Sequence, residues 1–259
     1  MRSRGFTLLE LIIVIVLLGI SSVFSMRFIA DMATAQVNNT ERAQALAGAR
    51  FMMERLRREL SLAYSPSVYL DEPDEQQQCV AFVPVIGAGR YVGVLNSETA
   101  QFILPVQYGQ EIKNTNLAIN TPENNSVNQW LEYPKQPLPD GVAQLQDQNS
   151  EHDNMLFWTQ AFGDLEPQPD FTNSSNDGRY TLLKRQQVRF CLNKQGEITR
   201  QLKEEDNWTP GVLMLSNVKY HEPFFKYHIG HQLLTVNLAV QTTDGVLALP
   251  SQMQVNYAP

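Results

Sequence analysis

Hydrophobic positions are continuous at the start of the chain, helically spaced in the next stretch and strand-like beyond. From Phe6 to Phe24 the single ionisable residue is Glu10, and Leu11 to Ile20 is an unbroken apolar run. The weakest positions are Thr7, Gly19, Ser21 and Ser22. A helix crosses a bilayer with about 20 residues. The segment is therefore just long enough to span, and a membrane anchor and a signal peptide both remain open. Farther on, Ala45, Ala49, Met52, Leu56, Leu60 and Ala63 recur at spacings of 4, 3, 4, 4 and 3, a helical stripe. Glu54 with Arg58, and Arg55 with Glu59, are spaced i,i+4. No proline occurs before Pro66, and Ser65-Pro66-Ser67 stops the pattern. The pattern predicts one helix over 6–64, with 6–25 as its membrane-length part. It would be about 85–90 Å long. Asn38-Asn39-Thr40 and Gly48 are places where it could bend.

Beyond Pro66 the pattern shortens. Strand character is predicted over 79–86, 91–95, 101–108, 155–161, 187–192, 197–202, 212–220, 233–241 and 252–257. Asn193-Lys194-Gln195-Gly196 and Thr242-Thr243-Asp244-Gly245 read as turns. The stretches 120–153 and 164–178 are rich in Asn, Gln, Pro and Gly and read as loops. About 190 residues follow Pro66, enough for one sizeable core. The expected class is α+β: a head over 66–259, mainly antiparallel sheet, packed on the second half of the long helix.

Charge changes this picture at the amino end. Arg2 and Arg4 in the leader 1–5 favour a cytoplasmic amino terminus, so the rest of the chain is exported. Export puts Cys79 and Cys191 in an oxidising compartment, where an even count favours a disulfide; two separate buried thiols are the alternative. A bridge closing a loop of that length contributes roughly 4–5 kcal/mol in the chain-entropy model. Cys191 alternates imperfectly with its neighbours, so its facing direction stays open. The formal net charge of −7 argues against nucleic-acid binding through bulk electrostatics. Arg42, Arg50, Arg55, Arg57 and Arg58 read as a solvated helix face tied to Glu41, Glu54 and Glu59, with a lipid or nucleic-acid patch as the alternative.

Candidate chemistry is sparse. The sequence has no phosphate-binding P-loop, no HExxH and no Gly-x-Ser-x-Gly, and Gly87-Ala88-Gly89 lacks the third glycine of a dinucleotide site. His228 and His231 beside Tyr227 read as surface histidines rather than metal ligands. Asp71-Glu72-Pro73-Asp74-Glu75 and Asn173 to Gly178 are oxygen-rich, without the spacing of a calcium loop. Trp130, Trp158 and Trp208 could line a sugar site, with core or loop packing as the alternative. Neither an enzyme nor a cofactor or metal is expected.

Glu10 is the exception, because a carboxylate at membrane depth is expensive. Gly5-Phe6-Thr7-Leu8-Leu9-Glu10 and the following aliphatic run resemble the class III signal of the type IV pilin and pseudopilin superfamily. The resemblance implies a pilin-like fold and a membrane aspartyl peptidase, the prepilin peptidase, that cuts between Gly5 and Phe6 and methylates the new amino terminus on Phe6. It also implies that Glu10 meets the Phe6 ammonium of a neighbouring subunit during assembly. An ordinary secretory signal, cut near Met26, is the competing reading. Residues 51–60 are similar to the late helix of J-type minor pseudopilins. Residues 79–85 and 89–91, with the paired cysteines, resemble biogenesis proteins of mannose-sensitive haemagglutinin (MSHA) pili. The implied role is a minor pilin at or near the filament tip, helping to initiate assembly. Its partners would be other minor and major pilins, with no nucleic acid. It would start in the inner membrane, head in the periplasm, and end in a surface pilus. A J-type secretion component and a glycan-binding tip adhesin are the alternatives.

Overall fold

The computed structural model describes residues 8–72, 76–93, 101–103, 115–119, 121, 127–144, 178–205 and 207–255. Helix α1 (Leu8–Ser61) runs without a break through Asn38-Asn39-Thr40 and Gly48. Phe6 and Thr7, which open the expected helix, lie outside the described residues. Every residue from Leu8 to Val37 is exposed, whereas Ala49, Met52, Leu56 and Leu60 are buried. The stripe foreseen from spacing is thus the face that meets the head. The helix ends three residues before the expected boundary. Leu62 N–H donates to Glu59 O and Ala63 N–H to Leu60 O in a tightened last turn. Tyr64 is extended, and Pro66 lies in a short 3-10 turn over Ser65–Ser67.

The strands follow in chain order. They begin with β1 (Tyr69–Asp71), β2 (Gln77–Phe82), β3 (Val85–Val92), β4 (Gln101–Ile103) and β5 (Thr115–Ala118). After a short helix α2 (Val127–Glu132) come β6 (Val142–Gln144), β7 (Arg179–Lys184), β8 (Gln186–Asn193) and β9 (Ile198–Glu204). The last are β10 (Asn207–Trp208), β11 (Val212–Leu215), β12 (Phe225–His228), β13 (Leu233–Thr242) and β14 (Gly245–Gln254). Among the described residues they form three sheets, all pairings antiparallel. The first has the order β1-β2-β8-β9-β10, with β11 also on β9; the second is β4-β3-β7-β5-β6; the third is β12-β13-β14. The α+β architecture expected from the sequence, a long apolar helix with mostly antiparallel sheet, is present.

Among the described residues two hydrophobic clusters stand out. In one, Met52, Leu56 and Leu60 of α1 meet Val80, Phe82, Phe190 and Leu192 of the first sheet and Leu234, Val236 and Leu238 of the third. Strand β13 alternates half-buried and buried positions, as a strand with one face on a helix must. In the other core, Tyr64, just past α1, packs with Trp130 and Tyr133 of the α2 segment and Ala118, Val142 and Leu183 of the second sheet.

Several expectations need correction. The apolar run 79–86 is two strands in two sheets, because Pro84 has no N–H to continue a ladder. At this crossing Val85 N–H donates to Leu62 O at 2.7 Å and Tyr64 N–H to Val83 O at 2.9 Å, so the crossing strand caps the end of α1. The expected loop 120–153 contains α2 and β6; its polar composition masked the apolar spacing of Trp130, Leu131 and Tyr133. The run 212–220 ends at Leu215, with Asn217 at a φ of 59°. Strand β14 starts at the Thr242–Gly245 turn, well before 252. Strands β1, β5, β7, β10 and β12 have no counterpart in the expected pattern. The expected strand 155–161, and most of 94–108 and 164–178, lie outside the described residues.

Candidate functional site

The distinctive part of the molecule is the exposed half of α1. Its described residues begin at Leu8, so Gly5 and Phe6 lie outside them. Glu10 stands in the first described turn of α1 and is exposed. Around it, Leu9, Leu11, Ile12, Ile13 and Val14 are all exposed large apolar residues. Such a surface requires either lipid or a helical bundle as its solvent.

Where the head begins, the fit is built from polar and small residues. The tip of the β13–β14 hairpin reaches α1 at Asn38 and Glu41. Thr243 Oγ1 donates to Glu41 Oε2 at 2.6 Å, and Asn38 Nδ2 donates to Asp244 Oδ1 at 2.8 Å. Asn38, by sequence a weak spot, and Glu41, by sequence an intrahelical partner, are instead docking points for the hairpin. A Cβ on Gly48 would stand 3.2 Å from Leu215 Cδ1, so this glycine marks close approach of β11, not a bend. Nearer the end of α1, Arg200 Nε of β9 donates to both Glu59 oxygens at 2.9 and 3.0 Å. Arg55 also pairs with Glu59, and Arg58 with Glu54 at 2.9 Å, as spacing foresaw. The role of Arg200 was missed, because only the fold brings β9 to the helix.

On the face of the first sheet turned away from α1, Cys79 and Cys191 stand directly opposite each other in β2 and β8 and form a disulfide. The open question of Cys191's direction is thereby answered. Arg189, two residues away on the same face, lies 4.1 Å over the Trp208 ring. It also donates to Gln201 Oε1 at 2.6 Å and faces Asp71 Oδ2 at 3.4 Å. Burial raises the Asp71 carboxyl above its ordinary range, against the opposing pull of Arg189. Tyr69 OH donates to Gln187 Oε1 at 2.8 Å, and burial pushes its phenol well above the ordinary value.

The remaining sequence candidates are scattered. Trp130 is in the core, Trp208 lies under Arg189, and Trp158 is outside the described residues, so no tryptophan-lined groove is assembled from those described. His228 and His231 are exposed at the end of β12 and in the turn after it. Asp71 is paired with Arg189, while 73–75 and 173–177 lie outside the described residues. No group of three metal-ligating side chains occurs among the described residues.

Residues 1–26 match the family model of the prokaryotic N-terminal methylation motif. No curated protein and no solved structure matches the chain. The motif indicates a type IV pilin-like prepilin, a substrate of the prepilin peptidase that assembles with other pilins. The apolar start of α1, long enough to cross a bilayer, fits membrane anchoring.

Proposed function

We propose that this chain is a minor type IV pilin of the MSHA type, which helps to initiate the filament from a position at or just below its tip. The observation that carries the reading is the division of α1. Residues Leu8 to Val37 are exposed and almost wholly apolar toward the amino end, while the second half of the helix is built into a broad head. In this reading the peptidase cuts between Gly5 and Phe6, Phe6 is methylated, and Glu10 meets the Phe6 ammonium of the adjacent subunit. Opposite charges that approach each other in lipid cost less than either alone. The head begins in the periplasm and is carried to the cell surface. Similarity of residues 79–85 and 89–91 to the MSHA biogenesis protein MshO supports the pilus over the secretion machine. The Glu10 carboxylate supports a place where another subunit can sit against it.

Deletion of the chain tests the role. Loss of pili is the expected result. Normal pili that no longer adhere would support an adhesin, and blocked protein secretion with intact pili would support a J-type pseudopilin. The mature amino terminus, read by mass spectrometry, should be methylated Phe6; a start near Met26 would end the pilin reading.

A further inference from the structure

The second sheet is joined to the rest of the head through one neck. The chain leaves the first sheet after Phe82 of β2 and returns to it at Gln186 of β8. The two crossings lie side by side. Lys184 N–H donates to Pro84 O at 2.9 Å, and Val85 faces Leu183 in the ladder. Among the described residues, β3, β4, β5, β6 and β7 pair only with one another. Neither these strands nor α2 contribute to the cluster in which α1 meets the first and third sheets. The hydrogen-bonded ladders of the second sheet are therefore separate from those that hold the stem.

The seam that closes this unit onto the head is largely polar. Gln187 of β8, fully buried, donates through Nε2 to Trp130 O, and to Tyr133 O at 2.8 Å. Lys203 Nζ of β9 donates to Leu131 O at 2.6 Å. Carbonyls at the carboxyl end of α2, where a helix leaves acceptors over, are thus taken up by two side chains of the first sheet. Tyr64 OH and Thr121 Oγ1 share a further hydrogen bond, and Tyr64, Tyr69 and Ala81 pack with Trp130 and Tyr133. Inside the unit the fit is incomplete. Among the described residues, the buried side-chain atoms without a hydrogen-bond partner are Asn116 Oδ1, Trp130 Nε1 and Thr181 Oγ1, and all three belong to it. Buried polar groups left unpaired lower the stability of their surroundings. The disulfide lies on the other side of the neck. It ties β2 to β8 whether or not the chain between them is folded.

We propose that β3 to β7 with α2 form an inserted lid that opens as one unit while α1 and the other two sheets stay folded, with Gln187 and Lys203 as its latch. The inference goes beyond the pilin reading and does not depend on it. Opening bares Tyr69, Ala81 and Gln187 on the first sheet, all buried in the closed head. Such a head changes the surface it presents without disturbing the half that holds the stem.

Native-state hydrogen exchange on the full, detergent-solubilised chain tests this, in urea below the global transition. Amides of β3, β5 and β7 should share one opening free energy and one urea slope, both smaller than those of β2, β13 and the centre of β8. Lys203→Met, and separately Gln187→Leu, should speed exchange in α2 and the second sheet about tenfold, with β13 and the centre of β2 unchanged. One free energy and slope for all three sheets would overturn the proposal, as would second-sheet strands that open one by one. Latch variants that leave the second sheet unchanged, or that speed β13 equally, would overturn it as well. The parent chain alone decides the first comparison, so the test stands even where a variant does not fold.

Discussion

Gly196 closes the turn between β8 and β9 with a φ of +79°, and a Cβ there would lie 2.3 Å from the Val218 carbonyl oxygen. The same residue accepts a hydrogen bond from Val218 N–H, so the turn is pinned against its neighbour. Gly196→Ala should therefore destabilise by about 1–3 kcal/mol from backbone strain alone, measured as a lower urea midpoint of the detergent-solubilised chain. An unchanged midpoint would show that the turn relaxes freely. Asp71 behaves differently. Its pKa in the fold is raised, mainly by burial, so the folded state favours the neutral carboxyl. The contribution of this group to stability is fully present below its unfolded pKa and is lost as pH rises through the higher folded value. Asp71→Asn should accordingly gain stability relative to the parent at neutral pH, and the gain should vanish as pH falls into the acid range. A loss at neutral pH would mean that the Arg189 contact outweighs the cost of burial. Gly196 was legible in the sequence because a turn between two apolar runs demands a glycine. The environment of Asp71 was not, because Arg189 lies 118 positions away along the chain.

At the scale of elements, α1 and the hairpin of β13 and β14 explain each other. The amphipathic stripe fixed which face of α1 is buried. It gave no sign that the hairpin tip grips the helix at Asn38 and Glu41, since polar residues on an exposed helix look alike whether or not a strand reaches them. These bonds are exposed, and each is worth about 0.5–1.5 kcal/mol before screening. Thr243→Val with Asp244→Ala should loosen the tip without unfolding the head. Hydrogen exchange should speed up at the amides around 242–246 and 36–42, while β8 and β13 near their centres stay protected. Uniform deprotection of the head would show that the clasp holds more than its own tip. The short strands β1 and β5 and the helix α2 escaped notice for a related reason. Each is too brief to show a period and is defined by its partners.

At the scale of the molecule, the disulfide closes a long excursion of the chain. Its cysteines are 112 residues apart, yet β2 and β8 are neighbours, and β3 to β7, the whole second sheet, lie between them. Closing so long a loop contributes about 4–5 kcal/mol in the chain-entropy model. Replacing both cysteines by alanine should lower the thermal midpoint clearly, and the variant should lose the parent's sensitivity to reductant. Equal midpoints would place the stability elsewhere. The amino-terminal half of α1 carries the functional prediction at this scale. Glu10→Ala should leave processing and membrane insertion intact but reduce the amount of the chain in sheared pili severalfold. Equal incorporation would remove the assembly role of that carboxylate.

The sequence by itself determined the long helix, its two surroundings and the amino-terminal motif. Those features are local: a run of apolar residues, a repeat near 3.6 and a carboxylate within the methylation motif need no distant partner to be read. The tertiary structure alone decided that two cysteines oppose each other across β2 and β8, that Arg200 anchors Glu59 and that a hairpin tip holds Asn38. Each of these is a relation between residues far apart in the chain, set by strand order and register, which a single sequence does not encode in any local period.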